Sequence, residues 1–218
     1  MANFTWSFSS FKRYENCPKQ YYELDVAKNF TQIPSQAMIY GNQVHSALEH
    51  YVKDGTELPK NYQRFKPLVD TIVEIPGDKL TEHRMALTKE RTACDYGAND
   101  RWVRGVADIV VIDNDHAFIV DYKTGGDKYP ELKQLRLMSL MTFAHFPHVK
   151  KVKAGLLFLL HNNFMPEEYH RDDMDKSWDT FKVTLTRMDN SYDTNTWLPN
   201  PTPLCKYCPV KTCEFNKS

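Results

Sequence analysis

The stretch Arg101–Gly125, RWVRGVADIVVIDNDHAFIVDYKTG, limits the fold of this chain more than any other segment. Val106 and Ile109 to Ile112 make one apolar run and Phe118 to Val120 a second, with the polar DNDH between them, so two β-branched strands should pair as a hairpin. A turn centred on Asn114 and Asp115 sets Asp108 opposite Asp121. Cross-strand partners lie about 4.5–5.5 Å apart at Cβ, and two carboxylates at that separation repel unless something positive lies between them. The two-residue period of a strand puts Lys123 on the same face as Asp121. Two acids and an ammonium are thus expected to converge at the end of a sheltered hairpin. The plainer reading makes Asp108 a bulge residue and Asp121–Lys123 an edge ion pair. The apolar neighbours on both strands argue against it, because an unpaired charge is costly in such surroundings.

The rest of the chain supplies the layers around this hairpin. Its 218 residues, 41% hydrophobic, suffice for one large domain with a real core. Ser7 and Ser9 can cap a first helix carrying Phe11, Tyr14 and Cys17, which Pro18 should close. A helix from about Ala37 to Lys53 turns Val44, Leu48, Tyr51 and Val52 inward, and it places Gly41 and His45 on one face. A short helix with Phe65, Leu68, Val69 and Ile72 on its apolar side follows, ended by Pro76 and Gly77. KLTEHRMALTKE alternates as a strand carrying Glu82, a possible third acid for the hairpin or a partner of Arg84. After Lys123 come a loop, a helix over 130–146 with Leu132, Leu135, Ser139 and Phe143 buried, a strand at KKVKAGLLFLL, and a helix marked by Trp178, Phe181, Leu185 and Met188. This order predicts an α/β fold with a central mixed β-sheet flanked by helices, in which an antiparallel hairpin is followed by a parallel return through a helix. No Gly-rich phosphate loop is present, which removes any simple case for ATP hydrolysis.

Charge and cysteine usage narrow the chemistry. The 28 basic and 28 acidic residues cancel, so net charge gives no support for a polyanionic partner, although local patches can still serve one. The sequence shows no signal peptide and no apolar run of membrane-spanning length, so a cytoplasmic protein without membrane attachment is expected. Cys205, Cys208 and Cys213 cluster in the tail while Cys17 and Cys94 stand apart; an odd, clustered set disfavours disulfides and fits a metal or cluster site. Three thiolates leave such a site one ligand short. Cys94 reads as a free thiol.

Gly41-x3-His45, Gly105-x2-Asp108, Asp121-x-Lys123 and Gln134 together resemble the PD-(D/E)XK nuclease superfamily in its RecB-type, Cas4-like branch. Cys17 in CPKQYY with the three tail cysteines in LCKYCPVKTC resembles the four-cysteine [4Fe-4S] motif of that branch. The resemblance runs from Ser7 to Cys213. It implies a restriction-endonuclease-like core at about 37–165 within a single domain spanning 1–218. Segments 1–30 and 190–218 would join in the cysteine region. It implies that His45, Asp108, Asp121 and the backbone carbonyl of Tyr122 hold Mg²⁺ or Mn²⁺, that Lys123 orients or activates water, and that Glu82 lines or completes the site. Gln134 matches the start of a Q-x3-Y motif whose tyrosine is Met138 here; Gln134, Arg101 and Arg104 would be DNA contacts. At the cysteines, [4Fe-4S] and Zn²⁺ both suit four thiolates. The activity implied is metal-dependent hydrolysis of DNA, as an exonuclease on single-stranded or frayed ends with little sequence preference, in recombination, repair or viral DNA processing. The alternative from another class is a non-catalytic nucleic-acid-binding or adaptor module with a structural metal centre.

Overall fold

A computed structural model describes residues 4–217. In chain order the helices are α1 (Phe8–Asn16), α2 (Pro18–Tyr21), α3 (Gln36–Asp54), α4 (Lys66–Val73), α5 (Leu132–His145) and α6 (Met174–Thr194). The strands are β1 (Asp78–Leu87), β2 (Ala93–Cys94), β3 (Val103–Asp113), β4 (His116–Lys123), β5 (Lys151–Phe158) and β6 (Asn163–His170). The residues form two compact units, one over Ser35–Trp178 and one made of the residues up to Pro34 together with those from Asp179 onward. The nuclease core expected at 37–165 falls in the first, and the two expected cysteine-bearing segments fall in the second.

The larger unit is built on a six-stranded mixed sheet of order β2-β1-β3-β4-β5-β6. The hairpin has the expected register, Asp113 facing His116 and Ile109 facing Val120 across a two-residue turn at Asn114 and Asp115. β4 and β5 are parallel and are joined by α5, the expected return through a helix. One face of the sheet meets α3 and α4, where Val44, Leu48, Phe65, Val69 and Ile72 pack on Ile109, Val120, Tyr122 and Leu157. The other face meets α5, where Met138 and Met141 lie against Gly105 and Thr142 donates to Met85. α5 departs from the one-sided stripe expected of it: every residue from Leu137 to Phe143 is buried, the signature of a helix covered all round. Its C-terminal carbonyls are taken up by Arg171, which donates to Phe143 O and Phe146 O, each at 2.8 Å, and to Val149 O at 2.6 Å.

In the smaller unit Ser7 caps α1 in a reciprocal capping box with Ser10, while Ser9 lies inside the helix. α1 ends just before Pro18, as expected, and Pro18 opens the short α2 at a position where its missing N–H costs nothing. Trp6, Phe11, Tyr14 and Tyr21 are buried with Phe181, Leu185 and Met188. The buried tyrosine hydroxyls are satisfied: Tyr14 donates to Arg187 O at 2.7 Å, and Tyr21 and Tyr192 share a bond of 2.8 Å.

Two local differences concern backbone geometry. Cys94, expected in an irregular segment, sits on the two-residue edge strand β2. Gly77, which turns the chain into β1, has φ +113°, and a Cβ there would stand 2.2 Å from Ile112 O. Gly77→Ala should therefore cost about 1–3 kcal/mol of stability, read as a lowered denaturation midpoint; an unchanged midpoint would show that the turn tolerates a side chain.

Candidate metal centre

The site forms where the sheet opens around Asp108. Between β1 and β3 the pairing runs Thr81 with Ile109 and then His83 with Ala107, leaving Glu82 and Asp108 opposite each other but unbridged. Glu82 has φ +45°, a left-handed conformation that costs a residue with a side chain about 1–3 kcal/mol. Between β3 and β4 the ladder stops at Ile109 and Val120. There the Asp108 carboxylate replaces the missing strand partner, its Oδ2 accepting from the Tyr122 N–H at 2.6 Å. Its Oδ1 lies 3.1 Å from His45 Nδ1 on α3. One turn before His45, Gly41 lets the helix approach: a Cβ on it would come within 3.1 Å of Thr124 Oγ1.

His45, Glu82 and Asp108 each present a ligand atom within 4.8 Å of the others, and all three are half-buried. Asp121 and Lys123 lie beside them on the α5 side. Asp121 is 5% exposed; its Oδ2 is 2.6 Å from Lys123 Nζ and its Oδ1 accepts from Gln134 Nε2 at 2.6 Å. Lys123 Nζ in turn donates to Gln134 Oε1 at 2.9 Å. The Gln134 amide thus fixes both ends of the Asp121–Lys123 pair. The role expected for it was a DNA contact, and the sequence held one clue to this bridging: Gln134 stands in the first turn of the helix that follows the Lys123 loop.

The electrostatics are those of crowded acids. Burial and the neighbouring Asp108 push the Asp121 carboxyl up to about 6, against the opposing pull of Lys123 and His45. Burial, Asp108 and Glu49 raise Glu82. Burial alone would lower the His45 imidazolium, but its bond to Asp108 and the charges of Asp108 and Asp121 outweigh that and raise it. The two shifted carboxyls, Glu82 and Asp121, resist ionising beside Asp108, a repulsion that a divalent cation would relieve. Two carboxylates and one imidazole, with the Asp121 carboxylate beside them, form a hard, oxygen-rich donor set that fits such an ion.

Of the two arginines expected to meet phosphate, Arg101 directs its Nη1 to Ala98 O at 2.6 Å and Gly97 O at 3.1 Å and so holds its own loop. Arg104 is exposed on β3.

A second constellation lies in the smaller unit. Cys17, Cys205, Cys208 and Cys213 are all unbridged and half-buried, and all four line one cavity of about 390 Å³. N–H groups converge on the sulfurs. Gln20 N and Asn200 N reach Cys17 Sγ at 3.5 and 3.4 Å, Thr202 N reaches Cys205 Sγ at 3.3 Å, and Gln20 Nε2 reaches Cys208 Sγ at 3.4 Å. Among the described residues no three of these sulfurs lie within 4.8 Å of one another, whereas thiolates on one tetrahedral zinc, with Zn–S of about 2.3 Å, stand about 3.8 Å apart.

A family model described as the PD-(D/E)XK nuclease superfamily matches residues 5–102 and 77–213. The chain belongs to that superfamily. Its sheet and flanking helices are a restriction-endonuclease-like PD-(D/E)XK fold. Similar solved structures include the crystal structure of SSO0001, with a TM-score of 0.52 and 15% identity, covering 100% of this chain and 89% of that one. Another is that of a candidate exonuclease from Eubacterium rectale, with a TM-score of 0.54 and 12% identity, covering 97% of this chain and 86% of that one. No curated protein matches significantly. No helix among the described residues is long and apolar enough to cross a membrane.

For a PD-(D/E)XK chain these acids should leave a thermodynamic trace. A carboxyl whose folded pKa is raised, as Asp121's is from 3.8 to about 6, favours the folded state when protonated, and that contribution is lost as pH rises through this window. Without divalent cations, Asp121→Asn should therefore be more stable than wild type by about 1–3 kcal/mol above pH 6, the gap closing towards pH 4. Denaturant unfolding checks this, and a variant less stable than wild type throughout would show that the ion pair with Lys123 outweighs the burial of the acid.

Proposed function

We propose that this protein is a divalent-cation-dependent DNA nuclease, acting as an exonuclease on single-stranded or frayed ends with little sequence preference. The observation that carries the reading is the convergence of His45, Glu82 and Asp108 beside the Asp121–Lys123–Gln134 cluster, within a chain of the nuclease superfamily. His45, Glu82 and Asp108 would hold Mg²⁺ or Mn²⁺, with Asp121 and the Tyr122 carbonyl as further oxygens; the imidazole favours Mn²⁺ somewhat. When bound, the cation polarises a phosphoryl oxygen and makes water a competent nucleophile near neutral pH. Lys123, held at 2.6 Å from Asp121 and steadied by Gln134, is placed to orient the attacking water and to offset charge developing at phosphorus. His45 must give up its proton to serve as a ligand, so activity should rise with pH as its imidazolium is lost.

End dependence is supported by the likeness to the candidate exonuclease from Eubacterium rectale and by the family branch that the sequence resembles. Asp108→Ala, Asp121→Ala and Lys123→Ala should each lower Mg²⁺-dependent degradation of linear single-stranded DNA by at least about a hundredfold while circular dichroism stays unchanged. A covalently closed single-stranded circle should persist where its linear form is consumed. Equal cutting of circle and linear form would remove the exonuclease assignment, and intact linear DNA with either cation would remove the nuclease assignment.

We further propose a [4Fe-4S] cluster at Cys17, Cys205, Cys208 and Cys213, in preference to zinc. The cavity that all four cysteines line, the N–H groups aimed at three of their sulfurs and the family branch that the sequence resembles support it. Protein purified without oxygen should be brown with broad absorbance, and Cys→Ser at any of the four positions should lower both iron content and thermal stability. Stoichiometric zinc with no iron would give the site to zinc instead.

A further inference from the structure

Arg84 on β1 and Arg104 on β3 are exposed arginines on strands interior to the sheet. Their neighbours Met85 and Gly105 pair with each other and face α5, so strand alternation turns both arginines to the opposite face, the one that carries α3. Both guanidiniums lie over one aromatic ring, that of Tyr96, at 5.5 Å for Arg84 and 5.6 Å for Arg104. Asp95 and Asp100 flank Tyr96 in sequence, yet neither arginine takes part in any of the described ion pairs. The ring face offsets part of the repulsion between the two cations, and their fork-shaped donors still face solvent.

Position gives this pair its meaning. Arg84 lies two residues from Glu82 and Arg104 four residues from Asp108, about 7 and 13 Å along their strands at a rise of about 3.3 Å per residue. A strand leaving the metal centre in this direction would present successive backbone phosphates to the two guanidiniums, and a fork of N–H donors suits phosphate oxygens.

We propose that Arg84, Tyr96 and Arg104 form a phosphate-binding clamp that grips the DNA backbone beyond the scissile position. The proposal rests on the nuclease reading for its substrate and adds the track along which that substrate lies. The clamp reads backbone and not bases, in keeping with little sequence preference. It also explains how a chain with no net charge holds a polyanion: the positive charge is gathered locally, beside the acids that bind the cation.

The test is binding of a fluorescein-labelled oligothymidylate to the full chain without divalent cation, followed by anisotropy over a range of NaCl concentrations. Each phosphate contact removed from a single strand should reduce the slope of log K against log[salt] by about 0.7. Arg84→Gln/Arg104→Gln should thus lose about 1.4 from the wild-type slope, and Tyr96→Leu, which frees both guanidiniums, should weaken binding with less change in slope. An unchanged slope and affinity in the folded double variant would overturn the clamp. Should that variant fail to fold, phenylglyoxal labelling of the wild type decides: bound oligothymidylate should protect Arg84 and Arg104, and equal labelling with and without it would overturn the proposal. A wild type that binds through these arginines but leaves linear DNA intact with Mg²⁺ or Mn²⁺ would instead count against the nuclease reading and leave the clamp standing.

Discussion

The structure turns on the crowding of carboxylates where three strands part. Glu82 lies across from Asp108 on one side, Asp121 lies beside it on the other, and each burial raises the cost of the next negative charge. The sheet accommodates them by giving up regular pairing. β1 takes a left-handed residue at Glu82, and the β3–β4 ladder ends so that a side chain receives the Tyr122 N–H. Lys123 and His45 supply the positive charge that the folded chain can offer, and neither removes the upward shift of the acids. A fold that gives up stability in this way fits the proposed role of the site in holding a divalent ion.

Much of this was legible in the sequence because it follows from short-range rules. The apolar runs around DNDH fix the hairpin, and a period of two fixes which residues oppose one another, so Ile109 with Val120 and Asp113 with His116 appear as expected. Gly41 and His45 share a face because helical spacing requires it. What stayed hidden depends on contacts between distant segments. Glu82 could have paired with Arg84 or faced solvent, and the β1–β3 register, which no short-range pattern supplies, sets it opposite Asp108. Gln134 lies eleven residues beyond Lys123, and its place in the first turn of the next helix hints at proximity without showing that its amide spans Lys123 and Asp121. The all-round burial of α5 and the loop-holding role of Arg101 are likewise set by tertiary packing, which local pattern does not encode.

The cysteine-bearing unit shows the same division. The spacing of Cys205, Cys208 and Cys213 made them candidate metal ligands in the sequence, and Cys17, nearly the whole chain away, lines the same cavity. The polar frame of the sulfurs was not legible. Gln20 donates to Cys17 through its backbone and to Cys208 through its side chain, so one residue of α2 ties the N-terminal segment to the tail. The loop closed in this way is long, and the proposed centre on four thiolates would offset its closure entropy.

The central claim is that these displaced strands exist to hold a divalent cation on His45, Glu82 and Asp108. Calorimetric titration of Mn²⁺ into wild type, Glu82→Gln and Asp108→Asn tests it without reference to any substrate. The account predicts one saturable site in the wild type, with binding lost in Asp108→Asn and weakened at least tenfold, about 1.4 kcal/mol, in Glu82→Gln. Undiminished Mn²⁺ binding in both variants would contradict it.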